Sequence, residues 1–320
     1  MSAAAPNLNP LAADPAEGAR LTARITTLSV CVAAGLSLVK LAAWWASGSV
    51  AILASTADSA LDFVAALATF WAVRYAVAPA DEEHRFGHGK AEAYASVIQA
   101  GLVLVSAVLI GREAVERLLH PAAVRQEGWA MGVMVVSIAV TLLLVQAQGR
   151  VIARTGSVAV SGDRAHYAAD LASNLAALLG VIGARLTGDT RLDAAAGLAV
   201  ALWLLWGVFG VLRSASKHLM DREIDEADRE EIMRLALDDA EVFGVHEFRT
   251  RLSGPFLHVQ MHMELDPEQT LDHAHHVVER AEQRILAAYP AADVIIHADP
   301  YGRAEPHGPF GDEGARVARG

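Results

Sequence analysis

Six long apolar runs fill the first two thirds of the chain, at about Ile25–Ser47, Val50–Tyr75, Ala91–Leu119, Gly128–Gly149, Ala165–Leu186 and Ala194–Leu212. The fourth and sixth contain no charge and approach the ~20 residues that a bilayer crossing requires. From Asp221 onward the pattern changes. Glu226–Ala240 is acidic and amphipathic, Val245–Leu252 and Phe256–Leu265 alternate like strands around the Ser253-Gly254-Pro255 turn, Thr270–Tyr289 is helical, and Asp293–Ala298 is a strand. In the second strand Leu257, Val259, Met261, Met263 and Leu265 share one face, leaving His258, Gln260, His262 and Glu264 on the other. The pattern predicts a six-helix membrane domain over 21–215 and a small α+β domain over 216–300, in the order helix, strand, strand, helix, strand. Residues 1–20 lack the apolar core of a cleavable signal peptide and read as a disordered leader, as 301–320 read as a disordered tail.

Charge inside the apolar runs is the next signal. Asp58 and Asp62 interrupt the second run, and a carboxylate near a bilayer centre costs roughly 2.5–3.5 kcal/mol on insertion scales, so the pair needs a compensating cation, proton or water-filled cavity. Residues four apart stand one turn apart on one helix face, so both can point at a single object. His166 and Asp170 repeat the spacing at the start of the fifth run. One nitrogen and three oxygen ligands suit a borderline divalent metal such as zinc, with bonds of about 2.0–2.2 Å. Two other polar residues in the runs are read as structural: Lys40 as snorkelling or paired, and Asn174 as interhelical hydrogen bonding. Between the second and third runs, Asp81, His84 and His88 lie in a glycine-containing loop. That loop is either a solvated charged turn or a small exposed metal site.

Composition narrows the function. Of 320 residues 53% are hydrophobic, and the formal net charge of −11 argues against nucleic acid as a partner. An even number of spans puts both termini on one side. That side carries Arg20, Arg24, Arg74, Arg85, Lys90, Arg150, Arg154, Arg164, Arg213 and Lys217, against Arg112, Arg117, Arg125, Arg185 and Arg191 opposite, a bias that places both termini in the cytoplasm. The single cysteine, Cys31, excludes an internal disulfide, and no Walker-type motif points to ATP. Most of the 13 histidines lie in the C-terminal domain, which suggests metal binding there.

In order and spacing the chain resembles the cation diffusion facilitator family, in its bacterial ferrous-iron and zinc efflux branch, over about residues 21–300. The resemblance is carried by Asp58-x-x-x-Asp62, Phe86-Gly-His-Gly-Lys-Ala-Glu92, His166-Tyr-x-x-Asp170, Leu219-Met-Asp221-Arg222 and Asp293-Val-Ile-Ile-His297-x-Asp299-Pro300. It implies a transport site of Asp58, Asp62, His166 and Asp170, an accessory loop site of Asp81, His84 and His88, and a two-metal site of His246, His262, His275 and His297 with Asp299 bridging. It further implies a homodimer in the bacterial inner membrane, a ferredoxin-like, metallochaperone-like αββαβ cytoplasmic domain, and a Lys90–Asp221 pair tying the two parts together. His258, His273 and His276 match no family ligand and are read as solvated.

The expected activity is divalent metal efflux by proton antiport, with zinc as cargo ahead of ferrous iron, cadmium or cobalt, and with zinc also held in the cytoplasmic domain. No organic cofactor is implied. Metal binding needs neutral imidazole and ionised carboxylate, so protons compete with it directly. A membrane-bound metal sensor would not need so costly a site at membrane depth. An intramembrane metallohydrolase would need an open coordination position and a general base that the four-ligand set does not offer.

Overall fold

A computed structural model describes residues 9–47, 50–120, 128–187 and 191–303. The expectations for residues 1–8 and 304–320, and the position of Arg125, lie outside the described residues. The chain divides into two compact units, Ala19–Ser216 and a second made of Met1–Gly18 with Lys217–Gly320.

The first unit consists of six helices: α1 (Pro15–Ser47), α2 (Val50–Ala76), α3 (Ala91–Leu119), α4 (Gly128–Thr155), α5 (Val158–Thr187) and α6 (Arg191–Leu219). Helix α1 begins ten residues before the apolar run, inside the stretch read as a disordered leader. The sequence reason is local: Asp14 Oδ1 accepts from the Ala16 amide at 2.9 Å, and Pro15 occupies the first helical position, where its missing N–H costs nothing. Among the described residues five helices are long and apolar enough to cross a membrane. The sixth, α5, is interrupted by Asp163, Arg164 and Asp170, and it is the helix that carries the candidate site.

Lipid tails are as apolar as leucine, so helices in a bilayer associate through close packing and polar contacts rather than hydrophobic burial. The buried positions fit that account, because small residues dominate them: Ala65 and Ala66 on α2, Ala93, Ala100 and Ala107 on α3, Ala159 and Ala169 on α5. Among the described glycines the tightest is Gly162 of α5, where an added Cβ would lie 2.9 Å from the Ser96 Cα of α3. Large apolar side chains such as Val105, Leu109, Leu143, Trp206 and Phe209 face outward, as lipid-facing positions must.

The second unit contains α7 (Glu226–Leu237), β1 (Gly244–Ser253), β2 (Phe256–Leu265), α8 (Leu271–Ala288) and β3 (Ala292–Pro300). The sheet order is β1-β2-β3, with β1 antiparallel and β3 parallel to β2. Gly254 at φ +57° makes the hairpin turn. The five alternating β2 residues are buried as their spacing predicts, against Ile232 of α7 and Val277, Ala281 and Ile285 of α8. Ile232, Met261, Met263 and Ile285 are at most 1% exposed, and each contributes about 1.5–3 kcal/mol by leaving water. Residues before α1 belong to this unit as well. Leu11, in a short 3-10 turn at Pro10–Ala12, packs against the core, and Asn9 Nδ2 donates to Asp228 Oδ1 at 2.6 Å.

Candidate metal sites

The i, i+4 spacing on α2 and α5 brings Asp62, His166 and Asp170 together. His166 Nε2 lies 3.0 Å from Asp62 Oδ1 and 3.9 Å from Asp170 Oδ2, and one ligand atom from each residue falls within 4.8 Å of the others. The His166 side chain is 7% exposed, while Asp62 and Asp170 are partly open at 24% and 32%. Asp58 is not drawn into this tight group. It sits one turn before Asp62 on α2, exposed, close enough to interact electrostatically with Asp62.

Behind His166 lies a polar network that sequence reasoning missed. Asp163, 1% exposed, accepts from Gln148 Nε2 of α4 at 2.8 Å and from Gln99 Nε2 of α3 at 3.4 Å. Gln99 Nε2 also donates to Thr69 Oγ1 and to the Ala65 carbonyl of α2, each at 2.9 Å, and Gln148 Nε2 donates to Ser29 Oγ of α1 at 3.1 Å. The network joins five helices, with the Asp163 carboxyl at its centre. At the start of α5, Glu92 of α3 accepts from Ser157 Oγ at 2.7 Å and from the Ala159 amide at 3.4 Å, placing a carboxyl group at a helix N-terminus. Asp163 escaped notice because the fifth apolar run was begun at Ala165. Gln99 in the third run and Gln148 in the fourth were the available signal.

In the loop the three predicted ligands do converge. Asp81 Oδ1 accepts the amides of His84 at 2.6 Å and Glu83 at 3.0 Å, its Oδ2 lies 3.1 Å from His88 Nε2, and His84 Nδ1 lies 3.3 Å from Oδ1. These backbone donors, the His84 amide above all, hold the Asp81 carboxyl below the usual carboxylate range. Gly87 at φ +76° lets the chain fold back so that the His88 ring reaches 4.2 Å from Tyr75.

The C-terminal group is a consequence of strand register. His246 pairs with His262 across β1 and β2, and His262 pairs with His297 across β2 and β3, so three imidazoles form a row over the sheet. Asp299, two residues beyond His297 on the same face, meets them all: Oδ2 lies 3.2 Å from His246 Nε2 and 2.9 Å from His262 Nδ1, and Oδ1 lies 3.2 Å from His297 Nε2. Two carboxylates missed from the sequence border the row. Glu264 Oε1 is 3.6 Å from His246 Nδ1, and Glu247 Oε2 is 3.8 Å from His262 Nε2. Glu247 sits at φ +46° where the β1 register slips between His246 and Arg249, a bulge that re-aims the strand beside its first ligand.

Two readings change. His275 does not join the row, because α8 packs on the core face of the sheet while the row occupies the other; its side chain is 65% exposed, with Nε2 3.7 Å from Glu279. His258 is buried rather than solvated, with Nδ1 3.0 Å from Asp293 Oδ2. His273 is exposed as predicted but paired with Glu241, and His276 lies 3.1 Å from Glu279. Asp221 accepts from Arg251 Nη1 at 3.3 Å within its own unit.

The chain is similar to known proteins along most of its length. Residues 26–220 match the family described as "Cation efflux transmembrane domain", and residues 224–301 match "Cation efflux protein, cytoplasmic domain". The chain is 38% identical over 281 residues to the cation-efflux pump FieF of Salmonella schwarzengrund, covering 88% of this chain and 93% of that one. It is 37% identical over the same length to FieF of Salmonella enteritidis PT4, with the same coverage. Among solved structures, the metal-bound C-terminal domain of the CzcD transporter from Thermotoga maritima matches at 22% identity with a TM-score of 0.24, covering 26% of this chain and all of that one.

Proposed function

The chain belongs to the cation efflux family, whose members are multi-pass membrane transporters and not enzymes, and we propose that it exports divalent metal, with zinc first, in exchange for protons. The observation that supports this reading best is the Asp62-His166-Asp170 group, held between α2 and α5 inside the six-helix unit. Asp58 completes a four-ligand site when metal is bound. Metal from the cytosol enters this group, a rearrangement of the helices opens it to the far side, and protons displace the metal there. The ligands need no separate proton site, since imidazole and carboxylate bind either ion but not both. One histidine with three carboxylates accepts zinc, cadmium, ferrous iron or cobalt. Zinc leads because it favours four-coordinate tetrahedral sites and stands high in the order of divalent affinities.

In the same reading the protein is an inner-membrane homodimer with both termini in the cytoplasm. The His246-His262-His297-Asp299 row holds metal that draws the two cytoplasmic domains together and biases the membrane part toward export. His275 has a ligand role only toward a second copy of the chain, given its face of the sheet.

The test is zinc flux into proteoliposomes holding a fluorescent indicator under an imposed proton gradient. Wild type should transport in proportion to the gradient, and Asp62→Ala should fall to the leak of empty vesicles. Transport by Asp62→Ala at the wild-type rate would remove the site; gradient-independent flux would remove the antiport.

A further inference from the structure

Lys40 lies seven residues from the Ser47 end of α1, about 10 Å along the axis at 1.5 Å per residue. A lysine at that depth ordinarily extends its stem toward the nearer interface and keeps its ammonium in water. Here the ammonium turns inward instead. Lys40 Nζ donates to Ser59 Oγ at 2.6 Å, and one turn earlier on α1 Ser37 Oγ donates to the Ser59 carbonyl at 2.7 Å. Ser59 is 3% exposed and stands between Asp58 and Asp62 on α2. Two α1 side chains therefore converge on one residue of the carboxylate segment, and the ammonium is near enough to interact with both Asp58 and Asp170.

We propose that Lys40 is a fixed counter-charge of the transport site and sets the ionic charge that the site accepts. This rests on the transport reading above. Asp58, Asp62 and Asp170 are three negative charges when ionised, and neutral His166 adds none; the Lys40 ammonium leaves a net charge of −2. A divalent cation neutralises that group. A monovalent ion leaves one charge over, and a trivalent ion brings one too many, each uncompensated where the effective dielectric is low. Asp163 on α5 is engaged by Gln99 and Gln148 behind His166, outside the group counted here, and is common to every variant below. Lys40 thus touches no metal. It acts on specificity and on release, by keeping the carboxylates from holding the cargo too tightly.

The experiment uses the full chain in a background carrying His84→Ala, His88→Ala and His262→Ala, so that zinc binding reports the membrane site. Lys40→Met should tighten zinc binding roughly tenfold while slowing zinc flux by a similar factor, because a unit charge is removed from the group. Lys40→Arg keeps the charge and should restore both values, which a merely structural role of the stem would not require. If Lys40→Met yields no folded protein, Ser59→Ala decides, since it keeps the charge but releases its tether and should shift affinity about twofold in the same direction. Unchanged or weaker zinc affinity in Lys40→Met, or in Ser59→Ala where that is the variant measured, overturns the proposal. Asp62→Ala separates the two levels: if it transports normally the site itself is wrong, whereas if it is inactive and Lys40→Met binds like wild type, only the counter-charge fails.

Discussion

The Asp62-His166-Asp170 group in the membrane and the His246-His262-His297-Asp299 row in the C-terminal unit share residue types but differ in ratio and in backbone. The first has one imidazole among carboxylates on two separate helices. The second has three imidazoles on three hydrogen-bonded strands, with one carboxylate between them. Helices packed through small residues can slide or tilt against each other, whereas neighbouring strands hold their ligands in fixed register. Exchange needs the former and retention the latter. In the proposed cycle the membrane group must give up its metal on every turnover, which a mixed site exposed to protons permits. The row has no such requirement.

The sharpest way to break this contrast is Asp62→Ala. It should abolish flux and leave zinc bound by the C-terminal row unchanged, as measured by metal content after dialysis. If both fall together, the groups are not independent. Next in size is Gly162→Ala. The new methyl meets the Ser96 backbone at 2.9 Å, which no side-chain rotation relieves, so α3 and α5 must separate one turn from His166. Overpacking of this kind costs about 1–3 kcal/mol, and flux should fall severalfold more than metal content in the C-terminal unit. Wild-type flux in this variant would show that the tight α3–α5 contact has no part in transport. Smaller still is His262→Ala. Removing the central imidazole should weaken metal binding by the row by at least the roughly 10- to 100-fold that loss of an outer partner causes, while flux declines only by a small factor. Undiminished metal content would show that the row does not hold metal.

The two groups were also unequally legible. In the C-terminal unit a period of two places His262 off the core, the resemblance implies its partners, and strand order shows which of those histidines align. The reading failed where it needed a third dimension: His275 lies on a helix covering the opposite face, and Glu247 enters through a bulge that no periodicity announces. In the membrane unit i, i+4 spacing revealed each ligand pair, since charge in an apolar run is conspicuous. Asp163 with Gln99 and Gln148 was not, because each helix contributes a single polar residue and only packing shows that they meet. Lys40 was visible but ambiguous, as a stem of that length can turn outward or inward.

The loop carries the smallest effect, and it tests whether a third kind of backbone adds anything to the contrast. Asp81, His84 and His88 are held by one turn rather than by helices or strands, and both Asp81 and His84 are about half exposed. Asp81 is committed locally, since its Oδ1 already accepts two amides that order the turn. Those donors keep it ionised throughout the neutral range, so its contribution to loop order is present above the ordinary carboxylate value and lost only as pH falls below it. His84→Ala together with His88→Ala should slow zinc flux by about twofold, because a weak exposed site near an entrance raises local metal concentration without closing a step of the cycle. Asp81→Ala should slow it further than that pair does, since the turn loses its anchor as well as a ligand. A loop that merely carries charge would leave all three substitutions silent, and abolition of flux by the histidine pair would make the loop an obligatory station on the route.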